Sequence, residues 1–174
     1  MMSIPFIKKY EPKSILDIPQ QFAVQKLKEF VANHKQQKKK AALIYGPPGT
    51  CKSCAVYAVA KELDLELIEV NASDFRNSAE IESKIGQALK QQSLFSQCKL
   101  ILVDEIDGIS GVQDRGGVPA LAGLIANAKF PVVMTANDPW DSKFSSLRSK
   151  SLMIEFPLID VNAMAAILKH ICDA

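Results

Sequence analysis

Short apolar runs alternate with longer amphipathic stretches along the chain. Residues 41–45, 66–70, 100–103, 131–135 and 152–156 read as strands. Three of these runs are apolar almost throughout, the pattern of strands covered by helices on both faces. Between them lie helical stretches at 21–33, 52–63, 78–91 and 119–128. In the first, Phe22, Val24, Leu27, Phe30 and Val31 fall mostly on one face at near-helical spacing. Asn77, three residues before Glu80, is placed to cap the third helix, and Pro119 suits a first helical turn. The alternation predicts an α/β fold: a five-stranded, mostly parallel sheet with right-handed crossovers and flanking helices. Residues 1–157 are expected to form this core. The stretch VNAMAAILKHICDA after Asp160 reads as one more amphipathic helix, which sets residues 158–174 apart from it.

Composition narrows the class. A chain of 174 residues that is 48% apolar and 23% charged fits one globular domain, not a disordered chain, a collagen or a coiled coil. The net charge of +2 predicts no partner. Its distribution adds a little: residues 1–40 carry nine lysines against Glu11, Asp17 and Glu29, either a solvated basic face or a contact for nucleic acid. Cys51 and Cys54 form a C-x-x-C, but no second pair follows among Cys98 and Cys172, so reduced thiols are expected rather than a metal site or disulfides. The N-terminal residues lack the apolar core of a signal peptide. No run approaches the ~18 apolar residues that span a bilayer. The expectation is a cytoplasmic protein with no membrane contact.

The strongest chemical signal is Gly46-Pro47-Pro48-Gly49-Thr50-Cys51-Lys52-Ser53, directly after the apolar run AALIY and opening a helix. Strand, glycine-rich turn and helix N-terminus together form a phosphate-binding loop. Its backbone N–H groups point inward, and the helix N-terminus adds about half a positive charge beside the anion. Lys52 is expected to reach the β- and γ-phosphates, and Ser53 to place a hydroxyl on Mg²⁺. Cys51 stands where the pattern has glycine; a cysteine fits there if the residue is already helical, and a thiol activated by the neighbouring lysine is the alternative. The run Leu100–Val103 ends in two acids, Asp104 and Glu105, placing carboxylates at the sheet's C-terminal edge. Asp104 is expected to hold Mg²⁺ and Glu105 to orient the water that attacks the γ-phosphate. A third run ends at Asn137, a neutral amide able to sense that phosphate.

These three motifs together resemble the AAA+ family of ATPases, and more closely its replication factor C group of sliding-clamp loaders. Ile7–Lys13 is similar to that group's N-terminal Lys-Tyr-x-Pro-Lys string, Val70–Asn77 to its Asn-Ala-Ser-Asp box, and Leu147–Ser151 to its Ser-Arg-Cys box. The resemblance implies ATP and Mg²⁺ as cofactors and adenine contacts near Tyr10, Pro12 and Ile18. It implies three kinds of partner: small subunits of the loader, a sliding clamp met by Leu94 and Phe95, and primer–template DNA met by Arg76, Lys84 and Arg115. Lys150 replaces the arginine finger of the Ser-Arg-Cys box, and lysine cannot make the bidentate fork to phosphate. That loss, with Asp114–Pro119, points within the group to the archaeal large subunit. The family continues into a helical lid and a collar, so residues 158–174 are expected to be the first helix of a truncated or missing lid. The implied function is the ATP-hydrolysing core of a clamp loader. A nucleotide-binding scaffold with little hydrolysis is the alternative; another AAA+ motor or a phosphate-loop kinase fits these motifs less well.

Overall fold

Residues 9–74, 83, 86, 98–109 and 116–173 are described by the computed structural model of the chain. In chain order the elements are α1 (Gln21–Ala32), β1 (Ala41–Tyr45), α2 (Lys52–Glu62), β2 (Glu66–Asn71) and β3 (Lys99–Asp104), then α3 (Gly117–Ala126), β4 (Val132–Ala136), α4 (Ser145–Lys150), β5 (Ser151–Glu155) and α5 (Val161–Asp173). Short 3₁₀ turns lie at Ile15–Asp17, Ala72–Asp74, Ile106–Gly108 and Ser142–Phe144. The predicted strands agree with β1–β5 to within a residue at each end. Asn77 and nearly all of the predicted third helix lie outside the described residues.

Alternating side chains divide the core between the two sheet faces. On one face Ala42, Ile44, Leu100, Leu102, Val133 and Ile154 pack under α1 and α2, through Val24, Leu27, Phe30, Val31, Val56 and Val59. On the other, Leu43, Ile101, Val103, Val132 and Met134 pack under α3 and α4, through Leu121, Ile125 and Leu147. The result is three layers, helix–sheet–helix. One expectation fails here: Phe22 is 84% exposed, because the buried stripe of α1 runs through Ala23, Val24, Leu27, Phe30 and Val31 and leaves position 22 to its side. Helix α5 buries no residue, and Val161 and Leu168 are exposed on it.

The sheet order is β2-β3-β4-β1-β5, and every neighbouring pair is parallel. All the strands therefore end at one edge. Because β4 lies between β1 and β3, the segments leaving these three strands meet there, in the crevice where open α/β sheets bind ligands.

Candidate functional site

The chain leaves β1 through Gly46, which no other residue could replace. Its φ is +152°, and a Cβ there would lie 2.1 Å from the Phe156 carbonyl oxygen. The Gly46 N–H donates to the Ala136 carbonyl at 3.3 Å, fastening the start of the loop to the end of β4. Inside the loop, Thr50 Oγ1 donates to the Pro47 carbonyl at 2.8 Å. Cys51 is the N-cap of α2 at φ 61°, ψ 25°, so its backbone is left-handed and not helical. This overturns the expectation that a cysteine fits as an already helical residue. Holding a side chain in this region costs about 1–2 kcal/mol that glycine would not incur. Lys52, the first residue of α2, donates from Nζ to the carbonyls of Gly46 at 2.8 Å and Pro47 at 2.9 Å, and to Asn137 Oδ1 at 3.0 Å.

The acidic strand faces this loop. Ser53 Oγ lies 2.9 and 3.1 Å from the two carboxylate oxygens of Asp104 and donates to them. Thr135, buried near the end of β4, donates from Oγ1 to Asp104 Oδ1, and the same hydroxyl accepts the Glu105 N–H at 2.8 Å. Glu105 itself is exposed and left-handed, at φ 54°, ψ 54°. Asp107 accepts the N–H groups of Asn137 at 2.6 Å and Asp138 at 3.2 Å. A cavity of about 220 Å³ runs between these groups, lined by Pro48–Cys54, Asp104, Glu105, Asp107 and Thr135–Asn137.

Burial lowers the Lys52 pKa, and Asp107, then Asp104 and Glu105, oppose that shift. The thiol of Cys51 is pushed up by burial, the direction opposite to that of an activated thiol. Cys54 is raised as well, by burial first and then by the neighbouring Cys51 and Glu11.

The structure thus brings together Gly46–Ser53, Asp104, Glu105 and Asn137. The residues expected at the adenine are scattered. Ile18 is fully buried in the core behind the turn Ile15–Asp17. Pro12 lines a second cavity of about 300 Å³ with Glu11, Lys13, Tyr57, Ala58 and Lys61, and Tyr10 lines neither cavity. Lys150 donates from Nζ to the Ala122 carbonyl at 3.0 Å. Arg148 instead donates to the carbonyls of Pro139 and Asp141 and stacks on Trp140, 5.7 Å from its ring centre. Arg76, Lys84, Leu94, Phe95 and Arg115 lie outside the described residues. Two contributors escaped the sequence reading. Thr135 is a lone hydroxyl in an apolar run, and Asp107 is the third acid of the stretch Asp104–Asp107.

Residues 42–158 match the ATPase family associated with various cellular activities (AAA). Among curated relatives, proteins named replication factor C large subunit are 46% identical over 170 residues in Nanoarchaeum equitans and 45% identical over 174 residues in Staphylothermus marinus. Each match takes in 97% of this chain, and 40% and 41% of the respective relatives. The Aeropyrum pernix protein of the same name is 42% identical over 176 residues, 98% of this chain and 36% of that relative. The chain therefore spans about two fifths of the length of the curated relatives it matches. A solved structure of the Aeropyrum pernix ORC1 protein in complex with DNA superposes at a TM-score of 0.70 with 20% identity, over 97% of this chain and 52% of that one, which shows the shared fold. No helix among the described residues is long and apolar enough to cross a membrane.

Proposed function

Because the chain belongs to the AAA family of ATPases, we propose that it is the ATP-binding and ATP-hydrolysing core of a DNA sliding-clamp loader large subunit. The observation that carries this is the meeting of three segments distant in sequence: Lys52 beside Asn137 at 3.0 Å, and Ser53 beside Asp104 at 2.9 Å. The likeness to relatives named replication factor C large subunit supports the choice of loader and subunit.

The loop N–H groups and the start of α2 bind the phosphate chain, and Lys52 supplies the point charge toward its terminal end. Ser53 and Asp104 offer a hydroxyl and a carboxylate side by side, hard oxygen donors that fit Mg²⁺. Ser53 and Asp104 are two protein donors, so substrate phosphates and water would complete the shell of a Mg²⁺ held there. When bound, Mg²⁺ neutralises charge on the β- and γ-phosphates. Glu105 lies at the open side of the crevice, where a carboxylate can orient and polarise an attacking water. Asn137 reads the γ-phosphate with its amide.

At the level of the assembly, ATP binding shapes a ring with the small subunits, which opens the clamp and grips primer–template DNA. Leu94 and Phe95 meet the clamp, and Arg76, Lys84 and Arg115 meet DNA phosphates; of the three residues expected at the adenine, only Pro12 lines one of the two cavities. Helix α5 starts a lid, in keeping with its exposed apolar side chains. The strained Cys51 favours one second reading, a nucleotide-binding scaffold with little hydrolysis. Single-turnover hydrolysis by the chain assembled with clamp-loader small subunits decides between them: a Glu105-dependent burst of phosphate supports the ATPase, and ATP binding with no burst supports the scaffold. In the same assembly, Leu94→Ala with Phe95→Ala should weaken clamp binding without lowering the melting temperature. Neutralising Arg76, Lys84 and Arg115 should flatten the salt dependence of DNA binding.

A further inference from the structure

The segment that presents Asn137 is held from two sides. On one side Arg148 donates to the carbonyls of Pro139 and Asp141. On the other, Asp107 accepts two successive backbone N–H groups, those of Asn137 and Asp138. Both Asp107 oxygens are directed at the segment leaving β4, whereas Asp104 takes Ser53 and Thr135. The two acids thus have different tasks, although the chain places them only three residues apart. Asp107 also stands on a firm base. Its turn, Ile106–Gly108, packs so closely on the turn Ala72–Asp74 that a Cβ on Gly108 would lie 2.8 Å from Ser73 Cα.

We propose that Asp107 is a positioning residue for nucleotide discrimination: by gripping the backbone of Asn137 and Asp138, its carboxylate holds the Asn137 amide beside the Lys52 ammonium. The inference rests on the nucleotide-site reading above and deepens it. A carboxylate accepting two N–H groups makes charge-assisted hydrogen bonds, stronger than neutral ones, so the grip survives when Asn137 Oδ1 and Lys52 exchange partners. Asn137 is exposed at the end of β4, and without this grip its amide would sample several directions. ATP, whose γ-phosphate meets the amide, would lose more than ADP.

The test is calorimetric titration of the 174-residue chain with ADP and with a slowly hydrolysed ATP analogue, each with Mg²⁺. Asp107→Ala should lower the preference for the triphosphate about tenfold while changing ADP affinity no more than about twofold. Asn137→Ala should do the same, and the double variant should lose no more than either alone, because one residue acts through the other. Asp107→Asn keeps the shape and one acceptor oxygen and should recover part of the preference, which separates positioning from misfolding. A parallel loss of both nucleotides in Asp107→Asn, or losses that multiply in the double variant, overturns the proposal. A parent chain that binds both nucleotides equally overturns it alone. A parent chain that binds neither overturns the nucleotide site as well.

Discussion

Cys51 offers a measurement of backbone strain free of most confounding terms. Its left-handed backbone, φ 61° and ψ 25°, costs any residue with a Cβ about 1–2 kcal/mol. Replacing it with glycine removes that cost but frees the unfolded chain, which offsets about 0.4–1 kcal/mol. Comparing Cys51→Gly with Cys51→Ala takes the half-buried thiol out of the difference, since both variants lack it. The glycine variant should therefore be the more stable of the two by roughly 0.7 kcal/mol. For a chain of this size that corresponds to a melting temperature about 2 °C higher. Thermal unfolding by far-ultraviolet circular dichroism resolves such a gap. ATP affinity of the glycine variant should at least match that of the parent, because nothing then projects from the loop at this position. An alanine variant as stable as the glycine variant would sink the argument: residue 51 would not be left-handed in solution.

Four further outcomes follow from the same geometry. Lys52→Ala should abolish measurable ATP binding, and an unchanged affinity in titration would refute the phosphate-loop assignment. Glu105→Gln should keep ATP binding but slow single-turnover hydrolysis by about 10²-fold or more, since an amide cannot act as a base; turnover at the parent rate would remove Glu105 from the chemistry. Thr135→Val strips the Glu105 N–H and Asp104 of a shared partner and should cost roughly 1–3 kcal/mol, a melting-temperature loss of several degrees. Alkylation by iodoacetamide at neutral pH should spare Cys51 and Cys54, whose pKa values burial raises, and should accelerate on them only as the pH climbs past the ordinary thiol range near about 8.5. Peptide mapping that finds Cys51 modified as fast as the exposed Cys172 contradicts this.

What the sequence disclosed follows from how far apart the interacting residues are. Strands β1 to β5 were legible because an apolar run between polar turns needs only local information. The short α4 was not, since in SSLRSK only Leu147 is buried and six residues carry no periodicity. The phosphate loop is contiguous, so its residues could be assigned from spacing, and Asp104, Glu105 and Asn137 from their places at strand ends. The order β2-β3-β4-β1-β5 was out of reach, because it depends on crossovers. With it went the bridges that only this order creates: Thr135 to Asp104 and Asp107 to Asn137 join residues about thirty positions apart. The left-handed backbone of Cys51 was half-visible. A glycine in the loop pattern marks a conformation as readily as a lack of bulk, and the latter interpretation led to the wrong expectation for the backbone.

The same bridges explain why one lysine can dominate the site. The Lys52 ammonium has three protons to donate, and they go to two carbonyls and an amide oxygen, all neutral acceptors. Exchanging one of these for a phosphate oxygen leaves the number of hydrogen bonds the same. What changes is charge: a half-buried cation whose pKa burial has lowered meets a full anion where the dielectric is reduced. The carboxylates of Asp107, Asp104 and Glu105 oppose that lowering, yet those of Asp104 and Asp107 are occupied by Ser53, Thr135 and backbone N–H groups and make no hydrogen bond with the ammonium. An ion pair with any of them would leave Lys52 neutralised before substrate arrived. By giving the Asp104 and Asp107 carboxylates other partners, Thr135 and the backbone after β4 leave the positive charge of Lys52 free of an ion pair with either acid.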